Sequence, residues 1–257
     1  MKADANVGQI RAYYRTLYRT WGPQHWWPGR TRFEVIAGAY LVQNAAWTNA
    51  ERALGRLRAA GALSLDGIRR APLPRLQSLV RPAGYFRQKA RNLKGFVKFL
   101  DKRYGGSLDR MFLQPTETLR QELLGLRGVG PETADSILLY AGQRPVFVVD
   151  AYARRILNRH GLVPANATYD EVRKLFERAL AGVVPKPRKP EADCGAAAHT
   201  PSPMSRAKRS TRAQAYNEMH GLMVGVGKQF CLKSKACCEG CPLEQFLPRP
   251  KSGHRGL

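Results

Sequence analysis

Cysteines are the residues best suited to chemistry in this chain of 257 residues, which contains five of them. Four are crowded between residues 231 and 241, namely Cys231, Cys237, Cys238 and Cys241, and Cys194 stands apart from them. An odd number of cysteines in a reducing compartment argues against a disulfide framework. The crowded thiols therefore predict a metal or cluster site in this part of the chain.

A glycine-spaced turn, Gly128-Val129-Gly130, leads directly into a helical pattern that starts at Pro131. Glycine has no Cβ, so its backbone N–H can approach a ligand closely, and proline is tolerated in the first turn of a helix. The helix start also carries partial positive charge. The turn predicts a phosphate site, although an ordinary joint between two packed helices would use the same glycines.

Asp150 lies between the short run Val146–Val149 and a further helical pattern. An Asp directly before a helix is a good N-cap, because its carboxylate accepts a hydrogen bond from a backbone N–H of the first turn. Position alone therefore predicts a capping residue, and a chemical role can coexist with capping.

Helices must position these residues, because apolar side chains recur at three- and four-residue spacing along most of the chain. The predicted helices cover residues 32–47, 49–60, 89–104, a segment capped by Thr118 and Gln121 that ends near Gly125, 131–141, 151–159, 170–180 and 215–230. The run Val146–Val149 is too short and isolated to build a sheet, so it is predicted to be an extended connection and the fold class is all-α. Residues 185–212, rich in Pro, Ala, Ser and basic residues, are predicted to be a flexible insertion.

The charge balance points to a polyanionic partner. Lys and Arg number 43 against 19 Asp and Glu, which gives a net charge of +24. Nucleic acid is the leading partner, ahead of an anionic membrane, because there is no basic helix with a wide apolar face. No apolar run could span a bilayer and the N-terminus lacks a signal-peptide core. We expect a cytoplasmic monomer, associated with the nucleoid if the source is bacterial.

The segment LRGVGPETADSILLYA (residues 126–141), followed by VVDAYARRIL, resembles the helix–hairpin–helix motif and downstream Asp of the endonuclease III superfamily of DNA glycosylases. The resemblance covers most of the chain, including FEVIAGAYLVQNAAW, VRPAGYFRQKARNL and the cysteine cluster. HWWP with LVQNAAW is similar to the branch that includes a bacterial 3-methyladenine DNA glycosylase. The resemblance implies a central helical barrel (residues 32–142), a second helical domain (1–31 and 143–257) and a DNA-binding cleft between them.

The resemblance also implies a mechanism. Asp150 would stabilise the positive charge that develops at the sugar as the N-glycosidic bond breaks, and it would activate or orient the attacking water. Bifunctional members carry a Schiff-base lysine where this chain has Glu132, and a carboxylate cannot form that adduct. We therefore predict a monofunctional glycosylase that leaves an intact abasic site. Glu132 is a candidate catalytic group or merely a solvated acid in the first turn of its helix.

The tryptophans Trp26, Trp27 and Trp47 are candidates for the base pocket, since a flipped base is held against aromatic faces. A cationic alkylated purine would be attracted to indole faces, which makes it the favoured substrate. The alternative for each tryptophan is a place in the core. Uracil or thymine opposite guanine is the next substrate class, followed by an oxidised pyrimidine with strand cleavage. A non-catalytic DNA-binding protein with the same fold is the alternative function.

Contacts to double-stranded damaged DNA are predicted for Gln43, which matches the family position that fills the gap left by the flipped base. The alternative is an exposed helix residue. The turn Gly128-Val129-Gly130 would contact phosphates, as would Lys233 and Lys235 on a basic loop that also includes Lys228.

The family's four-cysteine iron–sulfur site has the spacing C-x6-C-x2-C-x5-C. Cys231, Cys238 and Cys241 match its first three positions, but the fourth falls at Leu247. A [4Fe–4S] cluster normally takes four thiolates. Cys194 or Cys237 would have to supply the fourth, or the cluster is labile or lost in this chain. Zinc is the alternative metal.

Overall fold

The computed structural model describes residues 2–186 and 199–248, and their regular elements are helices, as the sequence predicts. The α-helices are α1 (Lys2–Trp21), α2 (Arg32–Leu41), α3 (Trp47–Ala59), α4 (Leu65–Arg70), α5 (Leu73–Val80), α6 (Phe86–Tyr104), α7 (Leu108–Leu113), α8 (Thr116–Leu124), α9 (Pro131–Ser136), α10 (Ala151–Arg159), α11 (Tyr169–Ala179) and α12 (Thr211–Gln229). A π-helical turn, Ile137–Ala141, continues α9, and short 3-10 turns cover Arg81–Ala83 and Glu244–Phe246.

The chain divides into two compact units. The hairpin unit comprises Trp27–Val148 and Thr200–Ala213, and the terminal unit comprises Met1–Trp26, Val149–His199 and Gln214–Leu257. Residues 200–213 therefore pack with the unit that contains the glycine turn, whereas the sequence places them in the other domain.

Helix α2 is the central helix of the hairpin unit, since every residue from Phe33 to Leu41 is buried. A helix that is apolar on all sides must be surrounded by other elements. It begins at an N-cap, Thr31, whose side chain accepts a hydrogen bond from Glu34 N. It ends at Leu41, so the predicted continuation to residue 47 is wrong. Asn44 has a φ of 50°, which no right-handed helix can include.

The start of helix α8 also differs from the prediction. The helix begins at Thr116 after Pro115, so Thr118 is inside the helix and the predicted capping box with Gln121 is wrong. The side chain of Gln121 instead donates to Glu117 Oε1 at 2.9 Å. Proline fixes its own φ near the value found here, −54°, which favours the entry into this helix.

Residues 200–212 of the predicted flexible insertion belong to the hairpin unit. Met204 is 8% exposed, and its backbone N–H donates to Gly29 O at 3.1 Å. The N–H of Gly29 donates to Ser202 Oγ at 3.2 Å. Residues Ser202 and Met204 of the segment predicted to be flexible thus make specific backbone contacts with Gly29. Residues 187–198, which include Cys194, lie outside the described residues.

The terminal unit is held by close approach of helix α12 to its neighbours. A Cβ at Gly221 would lie 2.8 Å from the Cβ of Gln24, and one at Gly227 would lie 2.2 Å from the Tyr152 ring. Real Cβ atoms do not come this close, so glycine is required at both positions. The close approach brings α12 against the N-terminal segment and against helix α10, which begins directly after Asp150.

Candidate active site and nucleic-acid interface

The glycine turn joins helices α8 and α9, and its two glycines have different roles. Gly128 has a φ of 78°, and a Cβ there would lie 2.1 Å from Asn92 Nδ2. Gly130 has a φ of −97° and open space where a Cβ would point. Val129 between them is 8% exposed and anchors the turn. Of these two glycines, the fold requires only Gly128. Gly130 leaves an open approach to the backbone at the start of α9.

A buried ion pair fixes α8 against α9. Arg120 Nε donates to Asp135 Oδ1 at 2.7 Å and Nη2 donates to Oδ2 at 3.2 Å. The two side chains are 5% and 0% exposed. A two-pronged guanidinium–carboxylate contact fixes distance and angle together. The hairpin is therefore held in one geometry before any ligand arrives.

Gln43 lies with the hairpin, in the turn after α2. Its Nε2 donates to Gly128 O at 2.9 Å and to Thr133 Oγ1 at 2.7 Å. The structure thus brings together two of the sequence-predicted DNA contacts, Gln43 and the glycine turn. The position is half-buried and lies beyond the end of α2, so Gln43 is not an exposed helix residue.

Lys89 fixes the turn that carries Gln43. Its ammonium, 2% exposed as a residue, donates to Leu41 O, Gln43 O and Ala83 O at 2.9, 2.8 and 2.7 Å. Burial lowers the pKa of Lys89 to about 8. Three carbonyl groups from two turns are satisfied by one buried cation. Lys89 therefore couples the Gln43 turn to the segment after Ala83.

Tyr85, in the segment after Ala83, is an exposed aromatic that the sequence analysis missed. It is 69% exposed and has a φ of 43°, an unfavourable conformation for a tyrosine. Unfavourable backbone conformations cluster at functional sites. Arg81 and Arg87 each lie 5.9 Å from the ring of the neighbouring Phe86. Basic residues interleaved with aromatics in VRPAGYFRQK are the sequence signal for this surface.

Two of the predicted pocket tryptophans lie in the hairpin unit. The ring of Trp27 is 5.1 Å from that of Trp47, at 86°, and 5.1 Å from that of Tyr140, at 39°. Trp27 is 5% exposed and Trp47 is half-buried. Tyr140 comes from the π-helical turn after α9, and sequence reasoning missed it because LLYA indicates only a core helix. Trp26 belongs to the terminal unit, where it contacts His199 and His220.

Asp150 is the N-cap of α10, as predicted. Its Oδ1 accepts a hydrogen bond from Ala153 N at 2.7 Å. Its Oδ2 lies 3.8 Å from Nε2 of His220, on α12. The side chains of Asp150 and His220 are 13% and 5% exposed. The cap thus holds one carboxylate oxygen, and the other oxygen faces a buried histidine that the sequence analysis did not select.

The cysteine loop follows α12 in the terminal unit. Cys231 is buried, and Arg159 Nη1 lies 3.3 Å from its Sγ. Burial raises the pKa of Cys241, and the neighbouring thiols of Cys238 and Cys231 raise it further. The three thiols with the predicted spacing thus belong to one loop. Lys233 and Lys235 are exposed on the same loop.

The family of the chain follows from comparison with known proteins. The model of the HhH-GPD superfamily of base excision DNA repair proteins matches residues 37–181. The chain belongs to this superfamily. A provisionally named DNA repair glycosylase of Methanocaldococcus jannaschii is 39% identical over 239 residues, covering 92% of this chain and 94% of that protein.

Solved structures agree with this assignment. The 3-methyladenine DNA glycosylase of H. pylori, solved with 1,N6-ethenoadenine, is 26% identical, has a TM-score of 0.67 and covers 87% of this chain and 97% of its own. A trapped endonuclease III–DNA intermediate is 22% identical and has a TM-score of 0.68. The match covers 92% of this chain and 93% of that one, and it supports the fold. The resemblance to the endonuclease III superfamily is confirmed, and the chain is a DNA glycosylase of base excision repair.

Glu132 is exposed in the first turn of α9, in the hairpin unit of the glycosylase. An acidic side chain there interacts favourably with the helix dipole. Its exposure agrees with the solvated first-turn acid that the sequence left open.

The cysteine loop of the glycosylase lacks a thiolate at the fourth expected position. Leu247, at the fourth predicted position, is a half-buried apolar residue that cannot ligate. Within residues 2–186 and 199–248, no three or more His, Cys, Asp or Glu side chains are arranged to hold a metal ion. The described residues therefore do not fit a complete four-thiolate site, and the candidate ligand Cys194 lies outside them.

Among the described residues, no helix has the length and apolar character needed to cross a membrane.

Proposed function

We propose that this glycosylase is monofunctional and removes alkylated purines from double-stranded DNA. The observation that supports this substrate class is the aromatic cluster of Trp27, Trp47 and Tyr140. The ring centroids of Trp47 and Tyr140 each lie 5.1 Å from that of Trp27. Electron-rich ring faces attract the positive charge of an alkylated purine and provide stacking surfaces for a base outside the duplex. The H. pylori relative is named for 3-methyladenine, which agrees with this substrate.

Asp150 is the proposed catalytic residue. As the N-glycosidic bond breaks, its electron pair leaves with the base and positive charge grows on the sugar, where a carboxylate stabilises it. Water then bonds to C1′ and gives up a proton, for which Asp150 is the acceptor. The hydrogen bond from Ala153 N at 2.7 Å holds one oxygen of this carboxylate in place at the start of α10.

Strand cleavage is not part of the proposed reaction. An amine nucleophile is needed for the Schiff base that precedes it, and Glu132 occupies the position where related bifunctional enzymes carry lysine. Glu132 is a carboxylate, so the proposed product is an intact abasic site.

The DNA is proposed to bind across the glycine turn, Gln43 and Tyr85 in the hairpin unit, with Lys233 and Lys235 contacting phosphates from the cysteine loop. Backbone N–H groups and lysines hold phosphates without regard to base sequence. The exposed ring of Tyr85 is available for stacking on bases. A binding surface of this kind suits an enzyme that must inspect many sequences.

A cluster held by Cys231, Cys238 and Cys241, with Cys194 as the fourth thiolate, is the proposed use of the cysteine loop. The sequence spacing of the three described cysteines on one loop supports it. When bound, the cluster would hold the shape of the loop that presents Lys233 and Lys235. Iron and sulfide analysis of anaerobically purified wild type and Cys194→Ser tests this. Iron-free wild-type protein overturns it, and undiminished iron in the variant removes Cys194 as a ligand.

The function is tested with duplexes that contain 3-methyladenine or 1,N6-ethenoadenine, uracil opposite guanine, or thymine glycol. Each reaction is read with and without alkali. We expect breaks only after alkali and only in the alkylated or etheno-purine duplexes. Breaks without alkali would contradict the monofunctional assignment, and breaks confined to another duplex would replace the substrate class. Binding without excision of any of these bases would favour the non-catalytic alternative.

A further inference from the structure

A buried histidine faces the proposed catalytic carboxylate. His220 is 4% exposed on α12, and its Nε2 lies 3.8 Å from Asp150 Oδ2. The two residues are far apart along the chain, so the packing of α12 brings them together. The inference developed from this pair rests on the proposed role of Asp150.

The packing around His220 fixes its ring. The indole of Trp26 lies 5.6 Å from the His220 ring at an interplanar angle of 46°. The next residue, Gly221, lets the Gln24–Trp26 segment approach, since a Cβ there would lie 2.8 Å from Gln24 Cβ and 3.5 Å from Trp26 Cβ. A side chain held by packing on one face can direct its polar edge at a chosen partner. Here that edge faces Asp150.

The remaining ionisable groups near this cluster have other partners. Glu218, on the same helix, accepts from Gln24 N at 2.6 Å and from Gln214 Nε2 at 2.6 Å. The ring centroids of His199 and Trp26 are 5.1 Å apart. Burial, followed by the charge of Lys228, lowers the pKa of His199 to about 4, so His199 is neutral at pH 7. Asp150, from the start of α10, is the carboxylate that His220 Nε2 faces within 4 Å.

The distance fits a contact that forms during the reaction. An N–H···O hydrogen bond spans about 2.9 Å, so a gap of 3.8 Å closes with a small rotation of either side chain. Catalytic hydrogen bonds are often long before substrate binds. Oδ1 is already held by Ala153 N, so a donor on Oδ2 would fix the plane of the carboxylate.

We propose that His220 is a positioning residue for Asp150, and that its Nε2–H donates a hydrogen bond to Asp150 Oδ2. The oriented carboxylate stabilises the sugar cation and receives the proton of the attacking water. His220 itself does not touch the DNA in this account. No added cofactor or co-reactant is needed.

The test is the single-turnover rate of excision at neutral pH for wild type, His220→Gln and His220→Leu, on the duplex from which the wild type excises a base. The glutamine keeps a hydrogen-bond donor, and the leucine has none. We expect leucine to lower the rate about tenfold, a loss typical of one positioning hydrogen bond, and glutamine to recover most of it.

His199→Gln, beside the same indole, is the matched control and should leave the excision rate at the wild-type value. Asp150→Asn and the double variant Asp150→Asn with His220→Leu complete a cycle, in which leucine should cause no further loss once Asp150 is changed. Duplex affinity and thermal unfolding of every variant verify folding. If His220→Leu does not fold, His220→Ala, which also lacks a donor, takes its place in the comparison and in the cycle.

Three results would overturn the inference. An active Asp150→Asn would remove the role of Asp150 and the role of His220 with it. An inactive Asp150→Asn together with unchanged rates in both His220 variants would remove the role of His220 alone. An additional tenfold loss in the double variant would also contradict the inference, since His220 would then act independently of Asp150.

Discussion

The hairpin and the surroundings of Asp150 are built in different ways. The hairpin is fixed by contacts already at hydrogen-bond distance, such as Arg120 with Asp135 at 2.7 Å. The carboxylate has one fixed oxygen, and its other oxygen is 3.8 Å from His220. A phosphate site can be rigid, because its ligand is the same in every step. The second oxygen of the catalytic carboxylate, in contrast, has no contact at hydrogen-bond distance to His220 before DNA binds, and we propose that this contact closes during the reaction.

This difference predicts that the hairpin depends most strongly on its buried ion pair. Asp135→Asn leaves Arg120 buried without its counter-charge, and we expect a loss of about 3–5 kcal/mol in the free energy of unfolding. Asp66→Asn breaks an exposed pair with Arg69 and should cost less than about 1 kcal/mol. Urea unfolding measures both. A loss below 1 kcal/mol for Asp135→Asn would show that the hairpin is not held this way.

The two glycines of the turn separate folding from binding. Gly128→Ala places a Cβ against Asn92 at a φ of 78°, so we expect a destabilisation of about 1–3 kcal/mol. Gly130→Ala has open space and an ordinary φ, so its stability should match the wild type within about 0.5 kcal/mol. Fluorescence anisotropy with a duplex should nevertheless show weaker binding for Gly130→Ala. Unchanged affinity in that variant would mean that the turn is only a joint between helices.

A smaller effect is expected in the terminal unit, where His199 should make the free energy of unfolding depend on pH. The folded-state pKa of His199 is about 4, below its ordinary 6.5, so the unfolded chain binds more protons between these values. Stability must then fall as the pH falls from about 6.5 towards 4. His199→Gln should flatten this part of the curve of unfolding free energy against pH. An identical slope in the variant would assign the acid sensitivity to other groups.

Local patterns predicted much of this molecule, and long-range packing accounts for what they missed. The cap at Asp150 depends on neighbours within a few residues, and the positive φ of Gly128 is a local property of its turn, so their sequence signals were sufficient. His220 and Tyr140 read as ordinary helix residues, because their significance depends on partners far along the chain. The packing of Met204 on Gly29 likewise could not be read from a segment whose composition is typical of a flexible linker.

The central claim is that Asp150 performs the excision while other residues hold the DNA. Asp150→Asn tests it directly, since asparagine also caps helices well and should preserve the fold. The measurement is the single-turnover excision rate and the duplex affinity of the same preparation, beside the wild type. We predict a rate at least about 100-fold lower with affinity within about threefold of the wild type. Excision at the wild-type rate by this variant would contradict the account.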